Sequence, residues 1–291
     1  MLATNGRLKI AVQRSGRLTD DSLALLRSCG LDFEFQSQGL HFPCRNFALD
    51  ILSLRDDDIP EYVQDGVADL GIVGGNIVTE RQARVRTLAP LGFGTCRLTI
   101  SVPRRSGFTT VRDLRNRRIA TTYPVTLKKF LRKNKVRATI VELSGAVEIA
   151  PSLDVADAVS DIVSTGTTAR MNGLRPLVDV LDSQALLVSN PRSLANRGKK
   201  ELIDRILIRI SGSLSARGKR YIMLNAPSTA VPALRRLIPS LKSPTIVPLA
   251  TQGMVALHSV IAEDVFWDVM ERLKDAGASD IIVVPIETII R

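Results

Sequence analysis

Asp161-Ile162-Val163-Ser164-Thr165-Gly166-Thr167-Thr168 places a carboxylate on an apolar run and follows it with five small polar residues. The alternation through Ala158-Val159-Ser160-Asp161-Ile162-Val163 predicts a strand leaving a buried sheet. The hydroxyl-rich turn leads into Thr168-Ala169-Arg170-Met171-Asn172, which can open a helix. Free N–H groups at a helix start carry partial positive charge and favour a phosphate. The Thr hydroxyls add donors, and Gly166 lets backbone approach closely. Asp161, just ahead of the turn, can accept hydrogen bonds from two sugar hydroxyls. This residue order describes a site for a phosphorylated ribose, and it equally describes an ordinary capped strand–helix turn.

Working outward, the same chain carries Ser144-Gly145-Ala146-Val147-Glu148-Ile149-Ala150-Pro151 and Asp154-Val155-Ala156-Asp157 ahead of the turn. Further upstream stand Gln13-Arg14-Ser15-Gly16-Arg17-Leu18, Asp56-Asp57-Asp58-Ile59-Pro60, Asp69-Leu70-Gly71-Ile72-Val73-Gly74, Cys96-Arg97-Leu98 and Thr122-Tyr123-Pro124. In this order, and over almost the whole chain, these motifs resemble the long form of ATP phosphoribosyltransferase. The resemblance implies transfer of phosphoribose from phosphoribosyl pyrophosphate to a ring nitrogen of ATP, the first step of histidine biosynthesis. It also implies Mg²⁺ as cofactor, feedback inhibition by histidine, a homo-hexamer and a cytoplasmic location.

Composition is compatible with that reading. A chain of 291 residues, 45% hydrophobic, has room for two or three globular domains. No apolar run approaches the ~18 residues of a membrane span, and the start Met1-Leu2-Ala3-Thr4-Asn5-Gly6-Arg7 lacks the apolar core of a secretory signal. Cys29, Cys44 and Cys96 are odd in number and widely spaced, which argues for a reducing compartment and against a thiolate metal site. His41 and His258 stand apart from any ligand cluster.

The net charge of +11 is unevenly placed: residues 104–137 hold twelve Lys/Arg and one acid, Asp113. Such a segment can be a solvated face, can steer polyanionic nucleotides toward a cleft, or can bind nucleic acid. Nucleic acid is the weakest of the three, because only Phe108, Tyr123 and Phe130 interleave with the charges.

The chain as a whole alternates short β-rich runs with amphipathic stretches, the pattern of an α/β fold. Leu8–Val12, Ala48–Leu54 and Val67–Gly74 read as strands of a first lobe, and Arg118–Thr121 and Thr139–Val141 as strands of a second. Val178–Leu181 reads as the return to the first lobe. The expected division is residues 1–95 and 178–217 for catalytic lobe I, 96–177 for catalytic lobe II with the phosphoribose turn, and 218–291 for a C-terminal domain. Two lobes joined by two crossings make a cleft, and the resemblance adds a periplasmic-binding-protein-like arrangement. After Gly218 the order strand, helix, strand, strand, helix, strand is ferredoxin-like. By resemblance this is an ACT-like regulatory domain. The triple acid Asp56-Asp57-Asp58, at the mouth of a helix, reads as capping and solvated carboxylates rather than a metal site.

The chemistry asks for positioning and charge more than for a strong base. Displacing a diphosphate from ribose builds positive charge on the anomeric carbon and negative charge on the leaving group. Mg²⁺ can ride on the diphosphate oxygens and water, and no carboxylate cage is evident in the sequence. Resemblance and chemistry together assign Asp161 to the ribose hydroxyls, and Ser164, Thr165, Gly166, Thr167 and Thr168 to the 5′-phosphate. Arg14, Arg17 and Arg97 are assigned to diphosphate or triphosphate, with Asp161, Arg17 and Arg97 as the catalytic set. Gln13, Ser15 and Gly16 shape the turn beside them, Asp69, Gly71 and Tyr123 line the ATP side, and Glu148 orients adenine or ribose. Asn225, Leu241, Ser243, Thr245 and Ser259 fall in stretches resembling the family's histidine pocket. Asn225 stands where relatives often carry Asp or His. A solute-binding protein should carry a secretion signal, and a nucleic-acid regulator leaves the Gln13–Arg17 and Asp161–Thr168 motifs without a purpose.

Overall fold

The first strand is set by an apolar run: Leu8, Ile10, Ala11 and Val12 of β1 (Leu8–Gln13) are fully buried. The computed structural model describes residues 6–36, 38–163, 167–238 and 243–290. After β1 come α1 (Thr19–Ser28), β2 (His41–Pro43), β3 (Leu49–Leu54), α2 (Ile59–Gln64), β4 (Leu70–Gly74), α3 (Gly75–Arg81) and β5 (Arg86–Pro90). The chain then crosses into β6 (Cys96–Pro103), β7 (Arg118–Thr121), α4 (Pro124–Lys133), β8 (Thr139–Glu142), β9 (Ala158–Val163), α5 (Thr167–Met171) and β10 (Leu174–Ser183). It crosses back at Gln184 into β11 (Ala185–Ser189), α6 (Pro191–Ala195) and α7 (Arg197–Ala216). Last come β12 (Lys219–Pro227), α8 (Val231–Leu237), β13 (Thr245–Pro248), β14 (Met254–Ala262), α9 (Glu263–Asp275) and β15 (Ser279–Pro285). Among the described residues no helix is long and apolar enough to cross a membrane.

The chain forms two compact units, one from residues 1–27 and 31–204, the other from residues 28–30 and 205–291. The first unit holds two sheets. One has the order β2-β3-β1-β4-β11-β5 and the other β10-β6-β9-β7-β8. In the first sheet β1 runs parallel to both β3 and β4, so Gln13, Leu54 and Gly74 end on one edge. In the second, β7 runs parallel to β8 and β9, so Thr121, Glu142 and Val163 end on one edge. Carboxyl edges of parallel strands are where α/β folds seat ligands. The second sheet is anchored by Ile100, Val102, Leu114, Ile119 and Leu127, all fully buried; burial of each contributes about 1.5–3 kcal/mol.

The return to the first lobe comes later than Val178. β10 pairs antiparallel with β6 from Leu174↔Pro103 to Ser183↔Cys96. Leu177, Val178 and Val180 pack on the core of the second sheet, and that apolar demand keeps the strand there until Ser183. In the second unit the order β13-β14-β12-β15, antiparallel throughout, is the ferredoxin-like arrangement of a βαββαβ chain. Its core includes Ile222, Leu224, Leu257, Ile261 and Leu273. This unit also takes in the C-terminal part of α7, so it begins ahead of Gly218.

Two residues expected beside ATP are structural instead. Asp69 precedes β4, at the amino end of the sheet, and is 2% exposed. Its carboxylate accepts from Lys199 Nζ at 2.6 Å, Ser193 Oγ at 2.5 Å and Lys9 N–H at 3.0 Å. Gly71 sits in the middle of the sheet under α2, where a Cβ would stand 2.8 Å from Ile59 Cγ2 and 2.9 Å from Val63 Cγ2. The glycine permits close helix–strand packing. Asp69→Asn should therefore destabilise the protein by about 2–3 kcal/mol, since it strands a half-buried ammonium. Urea denaturation checks the loss and ATP titration checks that affinity is unchanged. Weaker ATP binding at unaltered stability would return Asp69 to the substrate.

Candidate active site

At the carboxyl edge of the first sheet, Gly16 adopts φ +130° and a Cβ there would lie 2.5 Å from Gln13 Nε2. Gln13 folds back over the turn, its Oε1 accepting from the Leu18 N–H at 2.9 Å. Gln13 and Gly16 thus build the turn, while Arg14, Ser15 and Arg17 are exposed on it. Arg17 reaches toward the second lobe, its Nη2 donating to Cys96 Sγ at 3.3 Å at the start of β6.

Beside this turn, at the end of β3, Asp56 departs from the solvated cap expected of it. Its Oδ1 is buried with no hydrogen-bond partner among the described residues. Burial, with Asp57's charge adding and Arg17's opposing, pushes its carboxyl up to about 6. The helix that follows has no side-chain cap from Asp58 either.

On the second sheet Asp161 projects near the end of β9, opposite Thr99 of β6. Thr99, Ser101, Glu148, Asp161, Thr167 and Thr168 line one cavity of about 290 Å³. Burial raises the Asp161 carboxyl; the Ile162 N–H, at 2.8 Å, opposes this and the charge of Glu148 adds to it. Thr167 and Thr168 open α5, while Ser164, Thr165 and Gly166 lie outside the described residues. Arg97 is held by Asp179, Nη1 to Oδ2 at 2.9 Å, and Thr99 Oγ1 donates to the other oxygen at 2.7 Å. Arg97 lines two further cavities, of about 600 and 480 Å³, that adjoin Val163.

The two edges are tied together by α3 and α4. Tyr123, expected on the ATP side, ends at a hydroxyl that accepts from Asn76 Nδ2 at 3.1 Å. Asn76 is held in turn by Ser183, which accepts from its N–H at 2.8 Å and donates to its Oδ1 at 3.0 Å. Glu80 of α3 caps α4: its carboxylate accepts from the N–H groups of Val125 and Thr126 at 2.8 Å and from Thr126 Oγ1 at 2.6 Å. Burial pushes the Tyr123 phenol up to about 12, the Asn76 bond opposes this, and the charges of Asp161, Asp56 and Asp57 add to it. Tyr123 therefore stands within electrostatic reach of carboxylates from both lobes. Of the sequence-derived set, Gln13–Arg17, Arg97, Tyr123, Glu148, Asp161, Thr167 and Thr168 sit at the two sheet edges. Asn76, Glu80, Asp56 and Thr99 were missed. Thr99 and Ser101 did leave a signal, as polar residues alternating in an apolar strand, and both are nearly fully buried.

In the second unit, Asn225 donates to Asp280 Oδ2 at 3.1 Å. Asn225 pairs with Ala256 and Thr245 with His258, and the alternation of buried positions along β14 puts these on the sheet face away from the core. His258 Nδ1 is 3.0 Å from the Tyr221 hydroxyl on that face. Ser259 is a correction: it is 5% exposed and faces the core side, so it cannot share a surface with Thr245. Ser243 is exposed just before β13, and Leu241 lies outside the described residues.

Residues 55–212 match the family described as ATP phosphoribosyltransferase, and residues 216–288 match the HisG C-terminal domain. An ATP phosphoribosyltransferase of Cytophaga hutchinsonii is 45% identical over 284 residues, 98% of this chain and 99% of that protein. A chain of the ATP phosphoribosyl transferase (HisG:HisZ) complex from Thermotoga maritima is 25% identical with a TM-score of 0.60, over 70% of this chain and 98% of its own length. The alkanesulfonate-binding protein SsuA from Xanthomonas axonopodis pv. citri is 18% identical with a TM-score of 0.46, over 71% of this chain and 72% of its own. With a cleft built by two α/β lobes and a match along nearly its whole length, the chain belongs to the ATP phosphoribosyltransferase family, which condenses ATP with phosphoribosyl pyrophosphate in the first step of histidine biosynthesis.

Proposed function

We propose that phosphoribosyl pyrophosphate lies on the second lobe, its ribose hydroxyls on Asp161 and its 5′-phosphate among Ser164, Thr165, Gly166, Thr167 and Thr168. The observation that carries this is the single cavity shared by Asp161, Glu148, Thr99, Thr167 and Thr168. ATP enters from the first lobe, with Arg14, Arg17 and Ser15 toward its phosphates and Tyr123 and Glu148 toward its base and ribose. Arg97, oriented by Asp179, and Arg17 then flank the departing diphosphate. Mg²⁺ arrives as the metal complex of that substrate: among the described residues no group of three or more His, Cys, Asp or Glu is placed to hold an ion.

In the reaction a ring nitrogen of adenine donates its lone pair to the anomeric carbon as the bond from that carbon to the diphosphate oxygen breaks. Adenine becomes cationic and returns to neutrality by losing a proton from its exocyclic amino group. We assign that proton to Asp56. It is a half-buried carboxylate with one oxygen unpartnered, near Arg17 and Tyr123, and its raised affinity for protons suits the task.

Asp161→Ala should abolish turnover and weaken phosphoribosyl pyrophosphate binding while the fold persists. Calorimetric affinity and activity both equal to wild type would remove Asp161 from the site. Asp56→Asn should cut kcat at least about tenfold and remove the acidic limb near pH 6 from the kcat profile; a superimposable profile would contradict the assignment. The same variant has a stability signature. Because the folded carboxyl lies above the ordinary value of 3.8, the folded state holds a proton that the unfolded chain releases between about pH 4 and 6. Wild-type stability therefore falls as pH rises through that window. Asp56→Asn should be about 1–2 kcal/mol more stable at pH 7–8 and equal below pH 4, as read by thermal melts.

We further propose that the second unit binds histidine as a feedback inhibitor, in an ACT-like regulatory role, within a cytoplasmic homo-hexamer. Asn225, Ser243 and Thr245, with Leu241, would frame the ligand. Asp280, hydrogen-bonded to Asn225, supports this reading because it supplies the carboxylate that Asn225 lacks and can receive the histidine ammonium. Histidine should inhibit without competing with ATP, and both Asp280→Asn and Thr245→Ala should relieve inhibition with uninhibited turnover retained. Steady-state assays with graded histidine check this. Undiminished inhibition in both variants would place the effector elsewhere.

A further inference from the structure

The basic segment divides into cations with a structural task and cations without one. Arg118 is tied to Asp154 at 2.7 Å and to Asp157 at 3.2 Å, and the Arg117 guanidinium lies over the Phe108 ring, 5.4 Å from its centroid. Lys128, Arg132, Lys135 and Arg137 are exposed, and none makes a hydrogen bond or ion pair through its side chain among the described residues. These four share one groove of about 880 Å³ between α4 and β8, the outer strand of its sheet. Lys128, Leu131 and Arg132 follow the spacing of a single face of α4, and Lys135 stands in the turn just beyond its end. Leu131 and Val136 are buried in the groove wall, with Ala138 and Ile140 half-buried beside them, and Glu142 stands at the strand's end.

We propose that this groove is a second nucleotide site, built for a nucleoside polyphosphate and separate from the substrate cleft. The volume falls within the range that encloses one small ligand. The apolar wall can take the flat face of a base, four uncommitted cations can hold the polyphosphate, and Glu142 can accept from an amino or ribose hydroxyl group. The first N–H groups of α4 are already occupied by Glu80, so the phosphates are held by side chains. Among the described residues no aromatic ring lines the groove; a single-stranded nucleic acid, which relies on stacking, fits it less well. The lining shares no residue with the cavity around Asp161.

The test is photolabelling of the intact protein with 8-azido-ATP, followed by peptide mapping. Label should fall within residues 124–142 as well as in the cleft, and unlabelled ATP should displace it. Lys128→Gln/Lys135→Gln should cut labelling of that segment at least about tenfold with turnover at saturating substrates retained. Lys129→Gln/Lys133→Gln removes the same charge from exposed residues outside the groove and should leave labelling intact. An equal fall in both pairs would reduce the effect to long-range attraction and overturn the site. Label confined to cleft peptides would overturn it, as would displacement of the segment's label by oligouridylate at lower concentration than ATP.

Discussion

The arrangement of the catalytic lobes depends on how the start of α4 is satisfied. A helix begins with N–H groups that have no partner within the helix, and Tyr123, which precedes α4, offers no side-chain cap. Glu80 supplies one from the other lobe, accepting from the N–H groups of Val125 and Thr126 and from the Thr126 hydroxyl. A carboxylate at this end also complements the helix dipole. Since α3 follows the carboxyl end of β4 directly, and α4 follows that of β7, one capping interaction couples the two ligand-bearing sheet edges. Asn76, one turn earlier on α3, adds the bond to Tyr123.

That coupling gives the cleft its division of labour. The second lobe contributes hydroxyls and carboxylates around Asp161, suited to a sugar and its phosphate. The first contributes exposed arginines on the Gln13–Arg17 turn, suited to polyphosphate. Burial, with carboxylates from both sides adding to it, raises the Tyr123 phenol, which keeps it a neutral hydrogen-bonding group at physiological pH. In the proposed binding mode, positive charge developing on ribose and adenine would face the carboxylates of Asp161, Glu148 and Asp56, and the diphosphate would face Arg17 and Arg97.

Much of this was legible in the sequence because it is local. The apolar runs of β1, β4 and β9, the cap signals of α1 and the βαββαβ order of the C-terminal unit all lie within single windows of sequence. What escaped depends on distant partners. Asp69 and Gly71 sit in a motif that resembles the family's, yet their environment is set by Lys199, Ser193, Ile59 and Val63, none of which that motif contains. Asp56 was hidden among three adjacent acids, where only tertiary burial separates it from its neighbours. The later return through β10 follows from packing on β6, and Ser259 faces the core because of its place in β14's alternation.

Glu80→Ala tests the central claim most directly, because it removes the bridge between lobes without touching the residues around either substrate. Phosphoribosyl pyrophosphate affinity, which the proposed binding mode rests mainly on the second lobe, should stay within about twofold of wild type while kcat falls at least about tenfold. A wild-type kcat at unchanged affinity would contradict the account.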